Sequence, residues 1–163
     1  KSAMLPGTKG LGSALACLNQ ARFGIAWGTI GAAKACFHEA LDYANDRIIF
    51  GKPISAKQLI QQQLADSATK IALGEMMMLH LSRLKDQNGK VSPFQVSLCK
   101  RNNVGMALEV ARTCRSILGG NGISTEYAAI RHMLNLESVY TYEGTHEVHT
   151  LILGRGLTGQ DAF

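Results

Sequence analysis

In Tyr142-Glu143-Gly144-Thr145 a carboxylate stands between an aromatic ring and a glycine, just ahead of a helical pattern. A carboxylate can take a proton, and Gly144 permits a backbone geometry or a close approach that a side chain would forbid. Thr145 can cap the following helix, whose free N–H groups and dipole favour negative charge nearby. On this local pattern alone a first-turn glutamate is more often a helix-end charge than a catalyst. Arg47-Ile48-Ile49-Phe50-Gly51 is a second stretch. Arg47 complements the dipole at a helix end, or its guanidinium fork holds a phosphate, with Phe50 packed on a flat ring and Gln58 adding an amide contact. In Leu118-Gly119-Gly120-Asn121-Gly122, three glycines within four residues exceed what a helix cap needs, and they would let backbone N–H groups reach a phosphate. The stretch is neither a dinucleotide fingerprint nor a P-loop. His146-Glu147-Val148-His149 lacks the spacing and third ligand of a zinc site, so a helix surface or pocket lining is the favoured reading.

These residues need helices to position them. Residues 1–12 are Gly-rich and read as a linker. A helical period then runs from about Ser13 to Asp46, with a stripe of Leu18, Arg22, Ile25, Thr29, Ala32, Cys36 and Ala40. Gly24, Ala26, Gly28, Gly31, Ala32 and Ala33 crowd this helix, which implies close approach of another helix or a ligand. Gly51 and Pro53 end it. A second helix covers about Ala56 to Asp86, with Ile60, Leu64, Ala68, Ile71, Met78 and Leu81 on one side. Ser92-Pro93 opens a third, by an N-cap and a proline at the first helical position. Its stripe is Val96, Cys99, Asn103, Met106, Val110, Cys114 and Ile117. A fourth helix is expected over Thr125–Glu137, an irregular stretch over Ser138–Gly144, and a last helix over Thr145–Leu157. The fold class is therefore all-α, an up-down helical bundle over residues 13–163. Arg22 and Asn103 interrupt apolar stripes, so they either satisfy each other or their neighbours, or line a site.

The composition agrees. The 163 residues are 46% hydrophobic but only 6% aromatic, with three prolines, which suits closely packed helices and argues against disorder. The net charge of +5 is scattered, without a basic run or a basic patch interleaved with aromatics, so neither nucleic acid nor a membrane surface is the expected partner. No apolar run is long enough to span a membrane as a helix. Cys17, Cys36, Cys99 and Cys114 form no C-x-x-C pair and read as free thiols packed as small apolar groups in a reducing compartment. The opening Lys1-Ser2-Ala3-Met4 suggests part of a longer chain.

Taken in order, Tyr43-Ala44-Asn45-Asp46-Arg47, Phe50-Gly51-Lys52-Pro53-Ile54 with Gln58, Leu118-Gly119-Gly120-Asn121-Gly122 and Tyr142-Glu143-Gly144-Thr145 resemble the C-terminal domain of the acyl-CoA dehydrogenase family over essentially the whole chain. Within it, Cys17-Leu18-Asn19-Gln20-Ala21-Arg22, Leu84-Lys85-Asp86-Gln87, Lys100-Arg101-Asn102-Asn103 and the run from Tyr142 through His146 to Phe163 resemble the glutaryl-CoA dehydrogenases. The resemblance implies FAD as cofactor and Glu143 as the base that takes the α-proton of an acyl-CoA thioester. The expected reaction is glutaryl-CoA to crotonyl-CoA with loss of CO₂, with electrons passed to an electron-transfer flavoprotein. It implies that Arg47, Phe50, Gln58 and the segment Ser116, Ile117, Leu118, Gly119, Gly120 contact FAD held mainly by a neighbouring subunit. Thr145, Glu147 and Phe163 would contact FAD of the same subunit. Leu18, Asn19, Arg22 and Gly144 would contact substrate. A homotetramer is implied, in the cytoplasm of a bacterium or the mitochondrial matrix of a eukaryote. Upstream domains would complete the flavin pocket and carry the arginine that reads the distal carboxylate, so the isolated segment is expected to be inactive. Two alternatives stand beside this: a dehydrogenase of a short monocarboxylic acyl-CoA, and a non-enzymatic helical oligomerisation module.

Overall fold

The structure, a computed structural model, describes residues 6–8 and 10–162. It is an all-α bundle of five helices: α1 (Gly12–Asp46), α2 (Gln58–Asn88), α3 (Pro93–Ile117), α4 (Ala128–Thr141) and α5 (His146–Thr158). A two-residue hairpin, β1 (Ile48–Ile49) with β2 (Lys52–Pro53), and a 3₁₀ turn at Ile54–Ala56 join α1 to α2. Phe50 and Gly51 both have positive φ, +53° and +73°, which is the twist that suits a two-residue hairpin loop. Ser92 caps α3 in a full capping box with Gln95, and Pro93 begins the helix. Gly89 ends α2 in the left-handed region.

α3 packs against α1, α2, α4 and α5, and so forms the centre of the bundle. Its expected stripe from Val96 to Ile117 is buried throughout. On α2, Leu64, Ile71, Met78 and Leu81 are buried as expected, but Ala68 is exposed and Ser67 takes its place inside. On α1 the expected and observed core faces coincide at Thr29, Cys36 and Ala40. Closer to the start the core face lies on Ala26, Ile30 and Ala33. The displaced residues Ile25 and Ala32, with Gly28 and Thr29, instead line an apolar cleft of about 130 Å³ against α4.

α4 departs most from expectation. It starts three residues later than anticipated and continues to Thr141, so only 142–145 is irregular at its end. Its start is held by a carboxylate from another helix: Glu39 of α1 accepts from the N–H groups of Ala128 (2.8 Å) and Ala129 (3.0 Å). Its last turns stay helical because Leu136 is buried and Tyr140 stacks on the His146 ring at 4.4 Å. Three of the four thiols are buried and free, while Cys17 is exposed, against the expectation that all four are packed inside. Burial pushes Cys36 and Cys114 up to about 12 and Cys99 up to about 11, so these three stay protonated.

Candidate active site

Glu143 lies in the short turn between α4 and α5, where both φ angles are left-handed: +56° at Glu143 and +89° at Gly144. Such a conformation costs a bulky residue about 1–3 kcal/mol and persists only where the surroundings hold it. They do so through the backbone. Arg22 of α1 donates from Nε to the Glu143 carbonyl at 2.7 Å. Lys100 of α3 donates from Nζ to the carbonyls of Gly144 (2.8 Å), Tyr142 (3.0 Å) and Val139 (3.1 Å). Three successive carbonyls, 142 to 144, are therefore fixed by two cations from two helices. A Cβ on Gly144 would lie 3.0 Å from Arg22 Nη2 and 3.1 Å from His149 Nε2, so this position needs glycine for both space and φ.

Among the described residues, no acceptor takes the Glu143 N–H, and the buried Glu143 Oε2 has no hydrogen-bond partner. Thr145 caps α5 through its hydroxyl, which accepts from the Val148 N–H, and this aims the positive end of α5 at the same turn. Glu147, in the first turn, is held below the usual carboxylate range by hydrogen bonding to its own backbone and then to the Thr145 hydroxyl.

A second group of sequence-selected residues meets at the opposite end of the bundle. Arg47, Ile117, Leu118, Gly119 and Gly120 line one open recess of about 400 Å³, together with Tyr43, Ile49, Ile54 and Asn121. The three glycines of the segment after α3 differ in their surroundings. Gly119 has φ +60°; a Cβ on Gly122 would collide with the Arg115 carbonyl at 2.1 Å; Gly120 meets nothing within 4 Å and is open toward the recess. Phe50 stands 94% exposed at the hairpin tip, with the Lys57 ammonium 5.9 Å from its ring centroid. Gln58 and Ser116 are exposed and do not line the recess. Phe163 lies outside the described residues. Arg22 and Arg47 are 25 positions apart along α1, about 37 Å of helix axis, so the two groups cannot line one pocket of a single chain.

Of the expected substrate residues, Arg22 and Gly144 meet at Glu143. Leu18 is half-buried one turn ahead of Arg22. Asn19 donates to the Val91 carbonyl at 3.4 Å, and its Oδ1 is buried without a partner. Arg22 and Asn103 do not satisfy each other. Asn103 is fully buried and donates to the carbonyls of Ala26 (3.0 Å) and Gly74 (3.4 Å), tying α3 to α1 and α2.

Two site residues escaped the sequence reading of roles. Lys100 is 1% exposed and His149 fully buried. Burial, then the Arg22 charge, lowers the Lys100 ammonium to about 8, with Glu143 opposing. Burial, then Lys100 and Arg22, lowers His149 to about 4, so its ring is neutral beneath Gly144. Periodicity held a signal for Lys100. It lies one turn before Asn103 and one residue after Cys99, both on the buried stripe.

Comparison with known proteins follows the same lines. The model of the acyl-CoA dehydrogenase C-terminal domain matches residues 8–158. A crystal structure of glutaryl-CoA dehydrogenase from Mycobacterium smegmatis is 53% identical with a TM-score of 0.95, over 99% of this chain and 42% of that one. A second, of a glutaryl-CoA dehydrogenase from Mycobacterium smegmatis in complex with FADH2, is 48% identical with a TM-score of 0.97 over the same shares. The short-chain-specific acyl-CoA dehydrogenase of Megasphaera elsdenii is 33% identical over 149 residues, 91% of this chain and 39% of that protein. The chain spans about two fifths of the length of these relatives. With its five-helix bundle and its Glu143 turn at the head of α5, the chain belongs to the acyl-CoA dehydrogenase family, matching the C-terminal domain.

Proposed function

We propose that this chain is the C-terminal portion of an FAD-dependent acyl-CoA dehydrogenase acting on glutaryl-CoA, with Glu143 as the base that removes the α-proton of the thioester. The observation that carries this is the Glu143 turn itself. A carboxylate is held in a strained conformation, with its own N–H unspent and its carbonyl and both flanking carbonyls tied back. An α-proton is a weak acid, and its removal places negative charge on the thioester oxygen. The free Glu143 N–H is a donor for that oxygen, and Arg22, Lys100 and the N-terminus of α5 make the surroundings electropositive. Arg22 and Gly144, with Leu18 and Asn19 on the same helix face, are the substrate-side residues of this reading.

FAD supplies the acceptor for the hydride leaving the β-carbon. The residues present fit such a group: the recess joins an arginine, an open glycine and apolar side chains, which suits phosphates beside a flat ring. Arg47, Phe50, Gln58 and Ser116 to Gly120 would hold it at that end; Thr145, Glu147 and Phe163 would hold it at the Glu143 end. The separation of the two ends supports flavin sites shared between subunits. Leu59 (74% exposed), Met76 (66%) and Leu73 (61%) on the outer side of α2 support a homotetramer that covers them. An electron-transfer flavoprotein is the proposed electron acceptor. Glutaryl-CoA is preferred over a monocarboxylic substrate because the likeness to the two mycobacterial enzymes exceeds that to the short-chain one.

The test is anaerobic mixing of the full-length, FAD-loaded protein with glutaryl-CoA or butyryl-CoA, following flavin absorbance and collecting CO₂. Prompt bleaching by glutaryl-CoA with CO₂ release is expected. Bleaching without CO₂ would make it a non-decarboxylating relative, and bleaching by butyryl-CoA alone would move the substrate. Glu143→Gln should slow bleaching by about 10²–10⁴-fold while flavin stays bound; a fast variant would remove Glu143 from the role of base.

A further inference from the structure

A buried lysine is expensive unless its three donors are met. Lys100 spends all of them on main-chain carbonyls, and no carboxylate is among its hydrogen-bond partners. Two of these, Val139 and Tyr142, belong to the end of α4, where carbonyls lack helical partners and a cation is favoured. Capping alone would account for those two. It does not account for the third and shortest bond, 2.8 Å to Gly144, which lies beyond the helix on the far side of Glu143.

The carbonyls of Tyr142 and Gly144 belong to the peptide planes that flank the Glu143–Gly144 pair. Arg22 holds the Glu143 carbonyl between them. Holding these planes holds Glu143 at φ +56°, and with it the directions of its Cα–Cβ bond and its N–H. Without the ammonium, the turn can relax toward conformations that glutamate prefers, and both groups turn away together. Arg22 fixes one plane from α1; Lys100 fixes the two beside it from α3. We infer that Lys100 is a positioning residue for proton abstraction, its ammonium locking the peptide planes around Glu143 so that carboxylate and N–H face the thioester at once. This inference rests on the reading of Glu143 as the base.

The experiment uses the full-length, FAD-loaded enzyme with Lys100→Met and Lys100→Gln. The first keeps length and apolar bulk without donors, and the second keeps a shorter donor. Turnover of glutaryl-CoA, its KM, the isotope effect with α-deuterated substrate and the melting temperature are measured together. Misplacing a base by about 1 Å can cost 10²-fold. A fall in kcat of about 10–100-fold in Lys100→Met is therefore expected, with a smaller fall in Lys100→Gln. KM should stay within about threefold and the α-deuterium isotope effect should rise, because proton abstraction becomes the slow step. A folded, flavin-loaded variant with a lowered melting temperature but wild-type kcat and isotope effect would leave only the cap of α4 and overturn the inference. Collapse of both variants would assign the lysine to folding and overturn it equally. Failure of the wild-type enzyme itself to take the α-proton would instead remove the Glu143 reading, and this inference with it.

Discussion

Glu143 sits where a glutamate is disfavoured, and the cost is borne by two cations that the sequence places 121 and 43 residues upstream. Its place in a turn ahead of a helix was visible in the pattern Tyr-Glu-Gly-Thr; its strain was not, because φ is imposed by contacts from α1 and α3. Arg22 was visible as a polar break in an apolar stripe, without its partner. Lys100 carried a weaker mark, its position one turn before Asn103, against the expectation that a lysine lies at the surface. His149 is the other hidden titratable group, fully buried beneath Gly144. Its folded pKa of about 4 lies below its ordinary 6.5. The unfolded chain thus binds the extra proton between those values, and stability rises with pH across that window. The contribution is complete above about 6.5 and lost as pH falls toward 4, by at most about 3 kcal/mol. His149→Gln should flatten this part of the stability curve, measured by urea unfolding from pH 4 to 7; an unchanged slope would clear His149.

Helix type and order followed from periodicity and caps, because α1, α2 and α3 are long and their stripes repeat many times. Boundaries failed where another element decides them. α4 starts where the Glu39 carboxylate receives it and extends as far as Leu136 and Tyr140 find packing, neither of which is a local property. Of the small residues of α1, Ala26 and Ala33 are buried against the bundle. Gly24, Gly28 and Gly31 face open space within the chain, while close helix approaches occur at Gly156 of α5, against Phe94, and at Gly74 of α2. There a Cβ would lie 2.8 Å from Asn103 Oδ1 and 3.0 Å from Met106 Cε. Gly74→Ala should therefore destabilise the protein by about 1–3 kcal/mol by forcing α2 off α3, despite alanine's better helix propensity. Thermal unfolding checks it, and a stabilised variant would show that Asn103 can rotate away at no cost.

Across the whole molecule, α1 and α3 run in the same direction: Arg22 and Lys100 meet at the Glu143 turn, while Arg47 and Ile117 meet at the other end. The Glu143 turn and the distal recess are therefore separate within one chain. Arg47→Ala should weaken FAD retention by about tenfold or more, the loss of one charge-assisted contact. The rate of α-proton abstraction per flavin-loaded site should stay near wild type. Flavin content by absorbance and single-turnover bleaching read the two separately; unchanged flavin content would remove Arg47 from the phosphate-contact role.

By itself the sequence determined the all-α bundle, its order of helices, the glutamate turn and the glycine-rich segment after α3. Each of these is written in local spacing: a 3.6-residue period, a cap, a turn residue. The tertiary structure alone decided which polar side chains serve the site. Burial, hydrogen-bond partners and the two-ended separation of the site residues arise between elements far apart in the chain. Lys100, one residue past Cys99 and one turn before Asn103, becomes a clamp only when α3 is laid beneath the end of α4.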